Sequence, residues 1–488
     1  MSIFVKNMVM NLQSNDTIVA PATTAGSGAL AIIRISGPDS VGIADRLVSF
    51  YGGRKASGSE GYALMPGIVR FEDGSPLDEV MVSICHAPKS YTGEDCIEIT
   101  CHSSVYIVRE ILRLCMAAGA RSAAPGEFTM RAFMNGKMDL AQAEAVADII
   151  GARSESAHRI ALTQFKGGYS AELRSLRDRL ADLASMLELE IDFSEEEVEF
   201  ASRSRLKDLA GKTLQKVKSL CGSFALGNVL KDGVPVVLAG AANSGKSTLL
   251  NALLGHDRAI VSDIEGTTRD TVEETADIGG ILFRFIDTAG LRDSEDKVEK
   301  LGIERSMEAI KSARFVLCVC DSSADPESAR KQILQTASMT APDQCFAVVM
   351  NKIDLGKSAL LPVNKNVIQY NNFISLSDLK PLVFTVSAKE RTGVRSLEKW
   401  LEETVKSETG GETGSIMVTN ARHYEALSQA GRHLENVLSS LDSGISSDLL
   451  AEDLRSAIDA ISSILGDGLA ITTDEILGNI FSKHCIGK

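Results

Sequence analysis

One octapeptide constrains this chain more than any other stretch of it. Gly240-Ala241-Ala242-Asn243-Ser244-Gly245-Lys246-Ser247 has the spacing G-x-x-x-x-G-K-[ST], follows the apolar run PVVLAG and opens the helical sequence STLLNALLG. A strand, a glycine-rich turn and a helix start are what a phosphate loop requires. The glycines let backbone N–H groups turn toward phosphate oxygens, and the helix N-terminus adds partial positive charge. Lys246 is placed to reach the β- and γ-phosphates and the Ser247 hydroxyl to ligate Mg²⁺. Around this loop, PVVLAG, ILFRFID, RFVLCVCD, CFAVVMN and VFTVSA are near-continuous apolar runs set between helical stretches. Strands buried on both faces of a sheet read this way, so residues 233–405 predict an α/β domain.

Three more segments bear on the nucleotide. Asp287-Thr288-Ala289-Gly290 ends ILFRFID, which puts Asp287 in reach of the Mg²⁺ shell and Gly290 in reach of a γ-phosphate. Asn351-Lys352-Ile353-Asp354 ends another strand, where the Asp354 carboxylate can accept from a guanine N1–H and exocyclic amine that adenine does not offer in that pattern. Ser387-Ala388-Lys389 ends the next, with backbone N–H groups for guanine O6. Order and spacing resemble the Ras-like GTPase family across the whole block, which implies GTP rather than ATP. Gly266-Thr267-Thr268-Arg269-Asp270 lies where a switch segment belongs, with Thr268 the choice for a second protein ligand to Mg²⁺. Arg269 reads equally well as an arginine finger or as an ion-pair partner of Asp270. Leu291 stands where many GTPases carry the glutamine that orients the attacking water, and leucine cannot do so. Asp293, Glu295, Asp296 and Glu299 follow it, and sequence chemistry alone does not choose among them.

The flanks have a different texture. A length of 488 residues suggests about three domains. From Asp16 to about Phe133, β-type runs (DTIVA, GALAIIRIS, EVMVSICHA, CIEITCH) and a helix from Val105 to Ala118 ended by Gly119 predict an α+β domain over residues 1–133. DLAQAEAVADIIGA then starts a helical region, with Asp139 as N-cap and Gly151 as stop. Residues 154–191 read as one or two long helices with Leu162, Phe165, Leu173, Leu180, Leu183 and Leu187 inward. IDFSEEEVEF reads as a solvated turn, and another helical stretch covers about 202–229. Helices return at about 421–441, 447–465 and 474–482. The predicted architecture is therefore multidomain: an α+β N-terminal domain, and an all-α helical domain split into 134–232 and 406–488 by the inserted α/β block.

Composition narrows the function classes. Lys and Arg number 51 against 65 Asp and Glu, a net charge of −14, so any nucleic acid must meet a local patch. No stretch approaches the ~18 apolar residues of a membrane span. The N-terminus is interrupted by Lys6, Asn7 and Asn11 and does not read as a secretory signal. Nine cysteines without a regular framework fit reduced thiols and a cytoplasmic protein, with Cys318 and Cys320 packing in a core strand.

Outside the central block, DTIVAPAT, AIIRISGP, YTGEDCIEI, APGEFTMRAFMNGKMDLAQAEA, IDFSEEE and the closing Cys485-Ile486-Gly487-Lys488 resemble the MnmE (TrmE) family of tRNA modification GTPases over residues 16–488. GTPases that share only the central domain, such as ribosome-assembly factors, lack these flanks; a GTP-timed assembly factor is the alternative reading. The resemblance implies an N-terminal domain that dimerises and binds 5-formyltetrahydrofolate or a related one-carbon tetrahydrofolate. It also implies work with the flavoprotein MnmG, as a heterotetramer, to add a carboxymethylaminomethyl or aminomethyl group at C5 of wobble uridine 34 in tRNA. Potassium-dependent pairing of two GTPase domains across the homodimer would stimulate hydrolysis.

Carried over residue by residue, the resemblance makes Asn243, Ser262, Ile264 and Thr267 the K⁺ site, with Ser262 in place of the usual Thr. Thr248 joins Asn243, Ser244, Gly245, Lys246 and Ser247 in the nucleotide loop. Glu299 becomes the catalytic glutamate, acting on the attacking water through a second water. Arg34, Glu98, Lys137 and Lys488 become folate contacts, the basic groups for folate carboxylates and Glu98 for the pterin amino edge. Two departures stand out: Ala242 replaces a proline, and His102-Ser103-Ser104 replaces His-Gly-Gly. Cys485 reads either as a chemically active thiol or as a packing residue.

Overall fold

The computed structural model describes residues 16–24, 26, 28–192, 203–255, 273–287, 307–355, 382–408, 416–443, 447–467, 480–481 and 487. The chain divides into two compact units. One comprises residues 1–151, 161–221 and 422–488, the other residues 152–160 and 222–421.

The first unit opens with an α+β layer. Its strands are β1 (Ile18–Pro21), β2 (Leu30–Ser36), β3 (Val48–Phe50), β4 (Ala63–Arg70), β5 (Pro76–Cys85), β6 (Cys96–His102) and β7 (Arg121–Ser122). They form one sheet in the order β3-β4-β5-β6-β2-β1-β7. All neighbours are antiparallel except β1 and β7. Helices α1 (Ser40–Leu47) and α2 (Val105–Ala117) cover one face through Ile43, Ala44, Leu47, Ile111, Leu114 and Cys115. They pack on the inward row of Ile33, Ile35, Val82, Ile84, Ile97 and Ile99. The alternate row points the other way, and Leu64 and Met81 on it are 62% and 38% exposed. Period-two alternation in β4 and β5 thus yields one packed and one open face.

Helix α3 (Glu127–Met134) leads into the helical part, made of α4 (Leu140–Gly151), the second half of α5 (Glu155–Phe165, of which residues 155–160 count with the second unit), α6 (Gly168–Asp192) and α7 (Arg203–Gly222). Asp139 caps α4 reciprocally: its carboxylate accepts from Gln142 N at 2.9 Å, and Gln142 Oε1 accepts from Asp139 N at 3.0 Å. Leu173, Leu180, Leu183 and Leu187 are buried at helical spacing, as their sequence positions predict. Leu162 is half-buried, whereas Phe165 is 37% exposed, contrary to expectation. Phe165 is the last residue of α5, and there its backbone carbonyl, which accepts from Gln142 Nε2, makes the local contact. The return helices are α12 (Ala421–Ser443) and α13 (Ser447–Leu465), buried along Leu427, Leu434, Val437, Leu454, Ile461 and Ile464. The expected helix at 474–482 lies outside the described residues apart from Ile480 and Phe481.

The second unit holds α8 (Phe224–Asp232), β8 (Val234–Ala239), α9 (Lys246–Leu254), β9 (Glu273–Ile278) and β10 (Ile281–Asp287). It continues with β11 (Phe315–Asp321), α10 (Pro326–Met339), β12 (Cys345–Asn351), β13 (Leu382–Thr385) and α11 (Val394–Glu408). Strand order is β13-β12-β11-β8-β10-β9, parallel throughout except for the antiparallel edge pair β9–β10. All six residues of β8 are buried, as both-face coverage demands. From β8 the chain pairs first with β10 on one side and then with β11 on the other. The carboxyl end of β8 is therefore the switch point at which open α/β sheets hold ligands.

Candidate functional site

The loop at that switch point is shaped by two left-handed residues. Asn243 has φ of 63° and Gly245 a φ of 91°. A Cβ on Gly245 would lie 2.2 Å from Asn351 Nδ2, so only glycine fits there. Gly245 is the N-cap of α9, which starts at Lys246 and leaves its first N–H groups directed into the loop. The Lys246 ammonium folds back over the loop and donates to the carbonyls of Gly240 and Ala241 at 3.0 and 2.9 Å. Ser244 is buried, while Ser247 and Thr248 are exposed in the first turn of the helix.

Asn351 ends β12 and ties three segments together. Its Nδ2 donates to the carbonyls of Ser244 at 3.1 Å and Gly245 at 3.4 Å, and its Oδ1 accepts from Ala388 N at 3.0 Å. Lys352, itself left-handed at φ 66°, donates through Nζ to Asn243 O at 2.6 Å and to Asp321 Oδ2 at 2.7 Å. Burial pushes the Asp321 carboxyl up, but hydrogen bonds from Lys352 and Ser323 outweigh it and hold the group below the usual carboxylate range. Asp354 Oδ1 accepts from Ser387 Oγ at 2.7 Å. Ser387 is pinned by a backbone bridge to Thr392, which presents Ala388 and Lys389 at the end of β13.

The structure thus brings Asn243, Ser244, Gly245, Lys246, Asn351, Lys352, Asp354, Ser387 and Ala388 into one connected site at the carboxyl edge of the sheet. Asp287 ends β10, whose register with β8 pairs it with Leu238. Asp321 is an additional participant that sequence reasoning missed. Its register with Asn351 across β11–β12 is the signal that identifies it, and that signal is visible only once strands are paired. An exposed hydroxyl at Ser247 and an exposed amide at Asn243, next to a phosphate-shaped loop, suit Mg²⁺ and a monovalent cation respectively. Ser262, Ile264, Thr267, Thr268, Arg269, Asp270, Gly290, Leu291, Asp293, Glu295, Asp296, Glu299, Cys485 and Lys488 lie outside the described residues, as does the acidic stretch 193–200.

In the first unit, Arg34 on β2 and Glu98 on β6 sit opposite each other in register, with Arg34 Nε donating to Glu98 Oε1 at 2.8 Å. The guanidinium carbon lies 5.1 Å from the Tyr91 ring centre and 5.6 Å from that of Phe128. An acid–base pair against aromatic rings has the chemistry a pterin needs. Lys137 is exposed and donates to Pro88 O at 3.0 Å. The eight described cysteines form no disulfide. Burial pushes Cys96 and Cys115 each up to about 12, which makes both poor nucleophiles. Among the described residues no helix is long and apolar enough to cross a membrane, and no group of His, Cys, Asp and Glu could hold a metal ion on its own.

Comparison with known proteins places these features. The family described as MnmE helical domain matches residues 140–485, and the GTP-binding protein TrmE N-terminus matches residues 17–137. A tRNA modification GTPase MnmE of Bacteroides thetaiotaomicron is 46% identical over 97% of this chain and 100% of its own length. The protein of the same name from Cytophaga hutchinsonii is 44% identical over 97% and 98%. That of Christiangramia forsetii is 44% identical over 98% and 100%. Near-complete coverage of both partners at this identity leaves one assignment: the chain belongs to the MnmE (TrmE) family.

Proposed function

We propose that this chain is a GTP hydrolase of tRNA modification. It acts with the flavoprotein MnmG to add a carboxymethylaminomethyl or aminomethyl group at C5 of wobble uridine 34. The observation that carries the GTP reading is the connected arrangement of Asn351, Lys352, Asp354, Ser387 and Ala388 beside the phosphate loop. In it the exposed Asp354 carboxylate is held by a hydroxyl and aimed by a short helical turn, ready to accept from guanine N1–H and N2–H. Lys246, now on loop carbonyls, is within reach of the β/γ-phosphates once these displace it.

Ser247 and Thr268 would hold Mg²⁺, which would offset phosphate charge, and Asp287 and Gly290 would stand near the metal and the γ-phosphate. Asn243, Ser262, Ile264 and Thr267 would hold K⁺ through oxygen atoms, and such a cation would supply positive charge of the kind an arginine finger provides elsewhere. Glu299 acts on the attacking water through a second water. The open sheet face with exposed Leu64 and Met81 supports a homodimer built on the N-terminal domain. Arg34, Glu98, Lys137 and Lys488 serve a one-carbon tetrahydrofolate.

The test has two arms. Steady-state GTP hydrolysis should be stimulated by K⁺ and not by Na⁺, and Glu299→Ala should abolish turnover while guanine-nucleotide binding persists. Mass spectrometry of position-34 nucleosides in tRNA from cells lacking the protein should show the modified uridine missing and restored by complementation. Equal hydrolysis in both salts defeats the cation reading; intact uridine 34 modification without the protein defeats the whole proposal.

A further inference from the structure

The chain passes between the two units four times, after residues 151, 160, 221 and 421. Three of these passages fall at helix ends: α4 stops at Gly151, α7 stops at Gly222, and α12 starts at Ala421. The passage after Ile160 lies inside α5, which runs unbroken from Glu155 to Phe165. A helix of this length spans about 16 Å, and its backbone hydrogen bonds leave no hinge at the point of passage. Both of its ends are held. At the C-terminal end the Phe165 carbonyl accepts from Gln142 Nε2 at 2.8 Å, and this is the glutamine that caps α4. At the N-terminal end Ser156 N donates to the Gly280 carbonyl at 3.0 Å, and Ala157 N donates to Ser154 Oγ at 3.2 Å. Two donors that the first turn of a helix leaves without intrahelical partners are thus satisfied, one of them by the β9–β10 hairpin. Ser154, Ser156 and Ala157 are buried, and Ile160 packs on the core of the α/β sheet.

The hairpin side of this contact is tight. Gly279 and Gly280 form a two-residue turn between Ile278 and Ile281, with φ of 63° and 80°. Two left-handed residues are what such a turn needs. Gly280 N donates to Asp277 Oδ1 at 2.9 Å. A Cβ on Gly280 would lie 3.1 Å from Glu155 Oε2 and 3.3 Å from Glu155 Cβ, and one on Gly279 would lie 2.3 Å from Glu402 Cδ. The turn is therefore wedged between α5 and α11. From it β10 runs to Asp287, paired along its length with β8, the strand that feeds the phosphate loop. We infer that Ser154, Ser156 and Gly280 are positioning residues: they lock the first turn of α5 to the β9–β10 hairpin, so that one rigid helix delivers a shift of β10 at the nucleotide site into residues 161–165 of the first unit. This rests on the GTPase reading given above. It makes backbone stiffness around residues 160–162, rather than any side chain there, the property that hands the nucleotide state on.

The test varies stiffness while the side-chain loss is held nearly constant. Ala161→Gly combined with Leu162→Gly loosens the middle of α5, whereas Leu162→Ala trims the same leucine and keeps a strong helix former. The readout is amide hydrogen exchange by mass spectrometry on the full chain, over residues 161–192, with and without the non-hydrolysable GTP analogue GMPPNP. In the parent and in Leu162→Ala, GMPPNP should change exchange there by about threefold or more. In the double-glycine variant that change should vanish and uridine 34 modification in complemented cells should be lost, while GMPPNP affinity and basal GTP hydrolysis stay within about twofold of the parent. No nucleotide response in the parent, a response that persists with two glycines, or one that is lost equally in Leu162→Ala overturns the inference. If the parent binds no GMPPNP, the GTPase reading fails and the clamp is decided without nucleotide. Gly280→Ala, whose Cβ presses on Glu155, should then change exchange in residues 161–165 by about threefold, and should no longer do so once the two glycines are present. Exchange that ignores Gly280→Ala overturns the clamp.

Discussion

Replacing Glu144 by glutamine isolates the energetic role of a buried charge cluster in the helical part of the first unit. Glu144 on α4 lies 3.0 Å through Oε1 from Arg422 Nε, and Oε2 approaches His423 Nε2 to 2.5 Å without hydrogen-bond alignment. Arg422 also donates to Ser463 O at 2.8 Å and Ile464 O at 3.3 Å, carbonyls in the last turn of α13. Tyr169 packs on His423 with ring centres 5.5 Å apart. Burial pushes the Glu144 carboxyl up, but His423 and Arg422 more than reverse this and bring it from 4.5 down to about 2. At about 1.4 kcal/mol for each tenfold change in proton affinity, that lowering makes the ionised form worth roughly 3–4 kcal/mol. Because the folded value is depressed, that contribution is complete above the unfolded value near 4.5 and is lost as pH falls toward 2. Glu144→Gln keeps the shape but leaves the half-buried Arg422 without its counter-charge, a change of about 3 kcal/mol, the lower end of the range for breaking a buried pair. The assay is amide hydrogen exchange by mass spectrometry on peptides from α4, α12 and α13, which reads local opening in a protein of several units. At pH 7 the best-protected amides should exchange roughly a hundredfold faster in the variant, since each 1.4 kcal/mol is tenfold. The gap should close as pH drops below about 4. Exchange within threefold of the parent at pH 7 would refute the argument.

Three other outcomes follow from the nucleotide site. Gly245→Ala puts a Cβ 2.2 Å from Asn351 Nδ2 at a left-handed φ, so guanine-nucleotide affinity should fall at least a hundredfold by fluorescence titration while α9 stays folded. Asp354→Asn should move base preference from guanine toward xanthine, because an amide donates where the carboxylate accepted; competition between GTP and XTP measures it, and unchanged selectivity contradicts the assignment. Lys352→Ala removes the ammonium that joins Asn243 O to Asp321, so K⁺-stimulated hydrolysis should drop along with nucleotide affinity, by about tenfold each.

How much of this was legible in sequence depended on the kind of signal. β8, β10, β11 and β12 were readable because strands covered on both faces become unbroken apolar runs. β9 was not: Glu273–Ile278 is EETADI, an edge strand with one wet side, and its charges mask its pairing with β10. The single or double helix expected over 154–191 is two, because the chain turns through Gly167 at φ 83° between α5 and α6. The phosphate loop and the Asn351–Asp354 motif carried their geometry in local spacing. By contrast Asp321, the Glu144–Arg422–His423 cluster and the Ser156–Gly280 contact join distant parts of the chain, and no local pattern encodes a partner that the fold supplies.

The single amide of Asn351 grips the backbone at Ser244 with its nitrogen and steadies that at Ala388 with its oxygen, so on the function proposed above it joins the cradle of the triphosphate to the segment that selects the purine. Selectivity and tightness are therefore not independent dials in this protein. A purine that sits badly slackens the cradle, and a deformed cradle blurs the choice of purine, so evolution or engineering that adjusts one will drag the other with it.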